Sequence, residues 1–377
     1  MSVSNIQMVD LNSQYLKIKP QIDAAMAKVI SETSFINGPA VKEFQQKMQE
    51  KFKVKHVIPC GNGTDALQIA LMALDLQEGD EIITSTFTFI ATAEVIALLG
   101  LKPIFVDVYP DTFGINIEQV KAKISPKTKV IIPVHLYGQT CNMEELNAIA
   151  KQNNLFIIED TAQAINSEYT FNNGETKFAG TIGDIGTTSF FPSKNLGCFG
   201  DGGAIFTNND TLAEKMRMII NHGSKIKYHH EIVGVNSRLD TLQAAILSVK
   251  LDYLDEYCAN RQKAAQFYSQ NLSNISQIIT PVIHSKGTHV FHQYTLRVLN
   301  NQRDELKKYL ESKGIPSMIY YPISLHQQKA FESYHNGESL PIAEQLEKEV
   351  ISLPMHTELN EETLHFICNT IKEFFEK

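Results

Sequence analysis

Between about residues 50 and 210, short apolar runs alternate with longer segments whose apolar residues recur at helical spacing. The runs are His56-Val-Ile-Pro-Cys60, Glu81–Thr84, Pro103–Val108, Lys129–Val134 and Leu155–Ile158. Between them, Thr64–Leu74, Ile90–Leu99 and Met143–Asn153 read as helices. Strands separated by helices at this rhythm join through crossovers, so the chain is expected to be α/β, with a mostly parallel sheet covered on both faces. In such sheets ligands collect beyond the carboxyl ends of the strands. The residues just after each apolar run are therefore where chemistry should be sought.

The pattern changes after about residue 250. Leu251–Leu272 reads as one long connecting helix. It is followed by strand-like Gln293–Val298 and Ser317–Tyr321, a helix around Arg303–Lys313 and a terminal helix from Glu361. Leu364, Ile367, Ile371 and Phe375 share one face of that last helix. The expected division is a large α/β domain over residues 1–250 and a smaller α+β domain over 251–377. With 43% hydrophobic residues in 377, the chain can bury a core in each.

Several classes of function are disfavoured. The net charge of −8 leaves no basic stripe for nucleic acid. No stretch reaches the roughly 18–20 apolar residues of a membrane helix. The opening MSVSNIQMVDLNSQ has neither a basic nor an apolar leader region, so no signal peptide is expected, and the scattered cysteine usage makes a reduced cytoplasm the expected compartment. Five scattered cysteines without CxxC spacing argue against a disulfide framework or a zinc site, and no metal is expected. One local exception to the acidic balance is Asn221-His-Gly-Ser-Lys-Ile-Lys-Tyr-His-His230, with Arg238 following. It is either a solvated loop or an anchor for an anionic small molecule.

After the first run comes Gly61-Asn-Gly-Thr-Asp-Ala-Leu67. Small residues at a strand-to-helix turn let backbone N–H groups approach an anion, to which Thr64 could add its hydroxyl. Alternatively Thr64 or Asp65 simply caps the helix. The turn matches neither the Walker pattern nor GxGxxG. Asp160 follows the run Leu155–Ile158. A carboxylate at the end of a buried strand needs a cationic or N–H partner, either a helix end or a protonated heterocyclic nitrogen. After Glu81–Thr84 come Phe87 and Phe89, either core residues or a surface for an aromatic cofactor. Finally, SFFPSKNLGCFGDGGAI (189–205) sets Lys194 among aromatic and glycine residues. Taken together, a phosphate-type turn, an acid, an aromatic slab and a desolvated lysine describe a site for pyridoxal 5′-phosphate (PLP). A lysine must be neutral to attack the aldehyde, and burial lowers its pKa in that direction.

The chain resembles the DegT type of PLP-dependent nucleotide-sugar aminotransferases, within the aspartate-aminotransferase fold (fold type I). The resemblance runs from Met8-Val-Asp-Leu to Ser352-Leu-Pro-Met355. It rests on GNGTDAL (61–67), TFTFIATA (86–93), VHLYGQ (134–139), EDTAQA (159–164), TSFFPSKNLGCFGDGGAI (188–205), GVNSRLDTLQAAIL (234–247) and YYPISLH (320–326). The resemblance implies that Lys194 forms the Schiff base and shuttles the proton. It implies that Asp160 pairs with the pyridine nitrogen, that Gln163 sits near the ring hydroxyl and that Phe89 stacks on the ring. Gly63, Thr64 and Ser189 would hold the phosphate, and Asn236 would reach the cofactor phosphate of a neighbouring subunit, which implies a homodimer.

Family dehydratases carry histidine in place of the lysine, so Lys194 points to transamination from L-glutamate. FFPSKNLGCFGDGGAIFTN, the YHH pair and GVNSRLDTLQAAIL look most like the branch acting on a UDP-linked 2-acetamido-3-keto-hexuronic acid, for O-antigen or lipopolysaccharide amino sugars. Arg238 would then meet a carboxylate, with His229, His230, Tyr321 and His326 as further substrate contacts. Tyr320 stands where that branch is expected to carry histidine. A dTDP-3-keto-6-deoxyhexose or a 4-keto sugar is the alternative substrate. A non-catalytic sugar-nucleotide sensor on the same fold is a reading from another class. A nicotinamide-dependent dehydrogenase is disfavoured by the missing dinucleotide fingerprint.

Overall fold

The computed structural model describes residues 6–334 and 337–376; the first five residues of the stretch read above for a leader lie outside them. Its centre is a seven-stranded sheet of β1 (His56–Cys60), β2 (Glu81–Ser85), β3 (Lys102–Val106), β4 (Thr128–Ile132), β5 (Phe156–Asp160), β6 (Ile185–Ser189) and β7 (Gly203–Thr207). The spatial order is β1-β7-β6-β5-β4-β2-β3. β3, β2, β4, β5 and β6 are parallel, and β7 runs antiparallel to both β6 and β1. The sheet is therefore mostly parallel, as the alternation predicts.

Both faces are covered, which explains why these strands read as continuous apolar runs. After helices α1 (Leu11–Glu32) and α2 (Pro39–Phe52), helix α3 (Gly63–Met72) and helix α4 (Ala91–Leu98) pack with Ile58, Ile82, Val130, Ile158 and Ile205 on one face. On the other face Ile83, Val106, Ile131 and Ile157 pack against the helix Met143–Asn153. Each fully buried branched side chain there contributes about 1.5–3 kcal/mol.

The elements after residue 250 build a second core. The three-stranded antiparallel sheet Ile278–Ile279, Tyr294–Val298 and Val350–Leu353 packs with helices Leu254–Leu272, Arg303–Ser312 and Glu361–Phe375. The single connecting helix expected over 251–272 is two helices, Thr241–Leu251 and Leu254–Leu272, separated at Asp252 and Tyr253. Ser317–Tyr321 is not a strand; only Met318 bridges to Ser352. No described helix is long and apolar enough to cross a membrane.

Candidate active site

The strand order positions the site. β1, β2, β5 and β6 all end at the same edge of the sheet, and the residues that follow them line one cavity of about 650 Å3. Gly63, Thr64, Phe89, Asp160, Gln163, Ser189, Lys194 and Tyr321 all contribute to its wall, so eight of the expected site residues converge.

At one end is the N-terminus of α3. Its cap is Asn62, whose Oδ1 accepts from the Asp65 N–H at 2.8 Å. Neither Thr64 nor Asp65 caps the helix, because the cap belongs one residue before the first helical position. Capping uses the Asp65 amide, and no protein acceptor meets the Gly63 or Thr64 amide among the described residues. The helix dipole favours an anion at such a place. Gly63 is required sterically: a Cβ there would stand 2.7 Å from the Ser189 Cβ and 3.3 Å from its Oγ. Ser189 ends β6, so turn and hydroxyl form one cradle.

Asp160 is the last residue of β5 and is buried. Its Oδ2 accepts from the Thr92 hydroxyl at 2.8 Å and its Oδ1 from the Ala162 N–H at 3.1 Å. No lysine or arginine pairs with it by direct contact among the described residues. The neighbouring Glu159 points to the opposite face of the strand, as alternation requires. Glu159 and His135 are fully sealed from solvent: Glu159 accepts from His135 Nε2 at 2.9 Å and from the amides of Gly180, Ile182 and Gly183. The backbone of His135 also donates to the Asp160 carbonyl at 3.0 Å.

Lys194 lies in the loop after β6. Phe190, Leu196 and Cys198 anchor that loop in the core, and the half-buried Lys194 is left on the cavity wall. Burial pushes its ammonium down to about 8, partly opposed by the Asp160 carboxylate. The glycines around it serve contacts within the chain. A Cβ at Gly203 would meet the Asn62 carbonyl at 2.4 Å, and one at Gly197 the Pro192 carbonyl at 2.3 Å.

Phe87 is fully buried, whereas Phe89 is 54% exposed and lines the cavity. Its ring centroid is 6.2 Å from that of Tyr321. Gln163 accepts from the Tyr137 N–H at 2.7 Å and donates to the Tyr321 hydroxyl at 3.1 Å. Burial raises the Tyr321 phenol, which therefore stays protonated.

Five expected residues do not line this cavity. His229 and His230 are exposed on a small hairpin. Asn236 is exposed, bridged to Asn221. Arg238 is half-buried and makes no hydrogen bond or ion pair among the described residues. Its neighbour Ser237 ties that segment to the α3 turn, accepting from the Gly61 N–H at 2.9 Å and donating to Asp65 at 2.7 Å. His326 is buried in packing, with Nδ1 2.7 Å from the Thr86 hydroxyl and Nε2 3.3 Å from Glu344. The sequence reading missed His292 and Gln293, which do line the cavity. A histidine just before the apolar strand Tyr294–Val298 was the available signal.

This set of groups fits PLP on its own chemistry. It offers free amides and a hydroxyl cradle for a phosphate, a carboxylate for a ring nitrogen, an open aromatic face and an amine of depressed basicity. The sequence profile of the DegT/DnrJ/EryC1/StrS aminotransferase family matches residues 16–372. The chain belongs to that family. A protein of Geobacillus stearothermophilus named a pleiotropic regulatory protein is 48% identical over 98% of this chain and 99% of its own. The UDP-2-acetamido-2-deoxy-3-oxo-D-glucuronate aminotransferase of Pseudomonas aeruginosa is 44% identical over 96% of this chain and 98% of its own. Among solved structures, NtdA of Bacillus subtilis with bound cofactor PMP superimposes with a TM-score of 0.91 at 30% identity, over 100% of this chain and 86% of that one. The protein is a PLP-dependent sugar aminotransferase with the α/β fold of that family.

Proposed function

We propose that this aminotransferase moves the amino group of L-glutamate to the 3-keto position of a UDP-linked 2-acetamido-2-deoxy-hexuronic acid. The observation that carries the reaction is the convergence of Lys194, Asp160 and the α3 amides on one cavity. Support for the sugar comes from the P. aeruginosa relative and from Arg238, a cation without an acidic partner among the described residues, whose fork suits a carboxylate.

Each residue has a role in this reading. The Gly63 and Thr64 amides and the Ser189 hydroxyl would hold the phosphate. Asp160, fixed by Thr92 and Ala162, would keep the ring nitrogen protonated. Phe89 would cover one face of the ring, and Gln163 would lie beside the ring hydroxyl. The bound cofactor supplies an electron sink for the carbanion at the amine carbon. Lys194, neutral in a large fraction near pH 8, takes and returns the proton at that carbon.

Asn236 and Arg238 stand outside the cavity of their own chain, which supports a homodimer in which they complete a neighbour's site. A division near residue 250 belongs to the same proposal; the second core, from Ala264 to Ile371, supports it. A cytoplasmic enzyme supplying amino sugars to a surface polysaccharide is the setting this chemistry suits.

The test is to load the protein with pyridoxamine 5′-phosphate and offer UDP- and dTDP-linked keto sugars. Mass spectrometry should show amination of the UDP-linked 3-keto acid at least ten-fold faster than of neutral sugars. Arg238→Ala should raise KM for that acid or for glutamate by about ten- to a hundred-fold, the worth of a charge-assisted pair. Preference for a dTDP sugar, or unchanged affinities in Arg238→Ala, would overturn the substrate reading.

A further inference from the structure

The loop that carries Lys194 is gripped by a second lysine, one that touches no part of the cavity. Lys250 is 3% exposed and stands in the last turn of the helix Thr241–Leu251. Its Nζ donates to the Gly197 carbonyl at 2.6 Å and lies 5.5 Å from the centroid of the Phe199 ring. No carboxylate pairs with it among the described residues. Earlier on the same helix, Gln243 holds the backbone of Phe199. Its Oε1 accepts from the Phe199 N–H at 2.8 Å, and its Nε2 donates to the Phe199 carbonyl at 3.3 Å. A separation of seven residues is nearly two helical turns, so both side chains leave one face, about 10 Å apart along the axis. Gly200 makes room for the second grip, since a Cβ there would stand 3.0 Å from the Gln243 Nε2.

Burying an amine that can carry charge is costly, and an apolar side chain of the same length would fill the space at lower cost. Lys250 therefore needs a reason that its packing does not supply. The hydrogen bonds of the loop point to one. Lys194 donates its own N–H to the Phe191 carbonyl at 2.9 Å, and Cys198 donates to the Phe190 carbonyl at 2.8 Å. Between them Gly197 lies against the Pro192 carbonyl, too close for any side chain. Asn195 ties the same turn to the Val290 carbonyl at 2.8 Å. Ala244, Leu247 and Leu251 of the helix share one core with Phe190, Leu196 and Cys198 of the loop.

We propose that Lys250 and Gln243 are positioning residues for Lys194: by holding Gly197 and Phe199 they fix the turn from which the Lys194 amine faces the cavity. Proton transfer is sensitive to such placement, because the donor must stand within hydrogen-bond reach of the reacting carbon's proton. Burial lowers the Lys250 amine to about 8, with Cys198 acting against this and Arg261 adding to it. An amine keeps N–H groups in both its forms, so the bond to Gly197 survives the loss of charge. The proposal rests on Lys194 being the group that moves the proton.

The experiment compares PLP-loaded wild type with Lys250→Met, which keeps the apolar stem and loses the donor, and with Gln243→Leu. Hydrogen exchange at the Lys194 and Cys198 amides should quicken by about ten-fold or more in Lys250→Met, the worth of a bond from a charged group, and by a smaller factor in Gln243→Leu. The amides of β5 should keep their protection. With L-glutamate, the maximal single-turnover rate of pyridoxamine 5′-phosphate formation should fall by about ten-fold, while half-saturating glutamate and PLP affinity stay within about two-fold of wild type. A wild-type maximal rate in either variant, unmoved exchange at Lys194 and Cys198, or a rate that falls only in step with PLP or glutamate affinity would overturn the proposal. If Lys250→Met does not fold, Gln243→Leu, whose contact lies at the surface, decides alone. A failure of Lys194 as the proton-moving group would show separately, as retained transfer in Lys194→Ala.

Discussion

The Thr92 hydroxyl donates to Oδ2 of Asp160 at 2.8 Å, and both residues are buried. It is the one side-chain donor that reaches this carboxylate among the described residues; the Ala162 amide supplies the other contact. Thr92→Val keeps the shape and removes the donor. A hydrogen bond to a charged group contributes about 1.5–3 kcal/mol, so PLP affinity should fall by roughly ten- to a hundred-fold. Thr92→Ser should restore most of it. Equilibrium binding of PLP to the three proteins checks this.

The depressed basicity of Lys194 has a consequence for stability. The folded value of about 8 lies below the ordinary lysine value of 10.5. Below about pH 8 the folded state therefore carries the full cost of a poorly hydrated ammonium. Between about 8 and 10.5 the unfolded chain binds more protons, so stability rises with pH there. Cofactor-free Lys194→Met should resist urea better than wild type at pH 7, and the gap should narrow towards pH 10.5. Urea midpoints at three pH values test it, and a gap that widens with pH would contradict it.

Glu159 carries the opposite demand. Three backbone amides and the Nε2 of His135 converge on its sealed carboxylate. Glu159→Gln sets an NH2 group against donors and should cost about 3 kcal/mol of unfolding free energy. Because the amides of Gly180, Ile182 and Gly183 belong to the loop that leads into β6, the loss should also loosen Ser189. Urea unfolding and hydrogen exchange on residues 180–189 would show both effects.

Much of this was legible in the sequence because buried parallel strands leave continuous apolar runs, and β1 to β5 all announced themselves that way. β6 and β7 did not: Ile185-Gly-Thr-Thr-Ser189 is too polar to read as core, and only its place beside β5 makes it a strand. The residues placed after strand ends by local argument, Gly63, Asp160 and Lys194, converge in space because the sheet brings those ends together. Asn62 escaped notice because a cap is defined by its backbone geometry, which Thr64 and Asp65 mimic in composition. His326 looks functional in the string YYPISLH, yet the fold turns it into packing with Thr86. His292 comes from about 100 residues downstream of Lys194, and no local pattern joins two such positions.

The central claim is that Lys194 performs the proton transfer in the cavity. Rapid mixing of PLP-loaded protein with excess L-glutamate, followed by chemical quench, measures it in a single turnover. Wild type should yield one equivalent each of pyridoxamine 5′-phosphate and 2-oxoglutarate, while Lys194→Ala still binds PLP and yields at least a thousand-fold less per second, about the worth of a positioned acid–base group. Lys194→Ala forming both products at a rate near wild type would contradict the account.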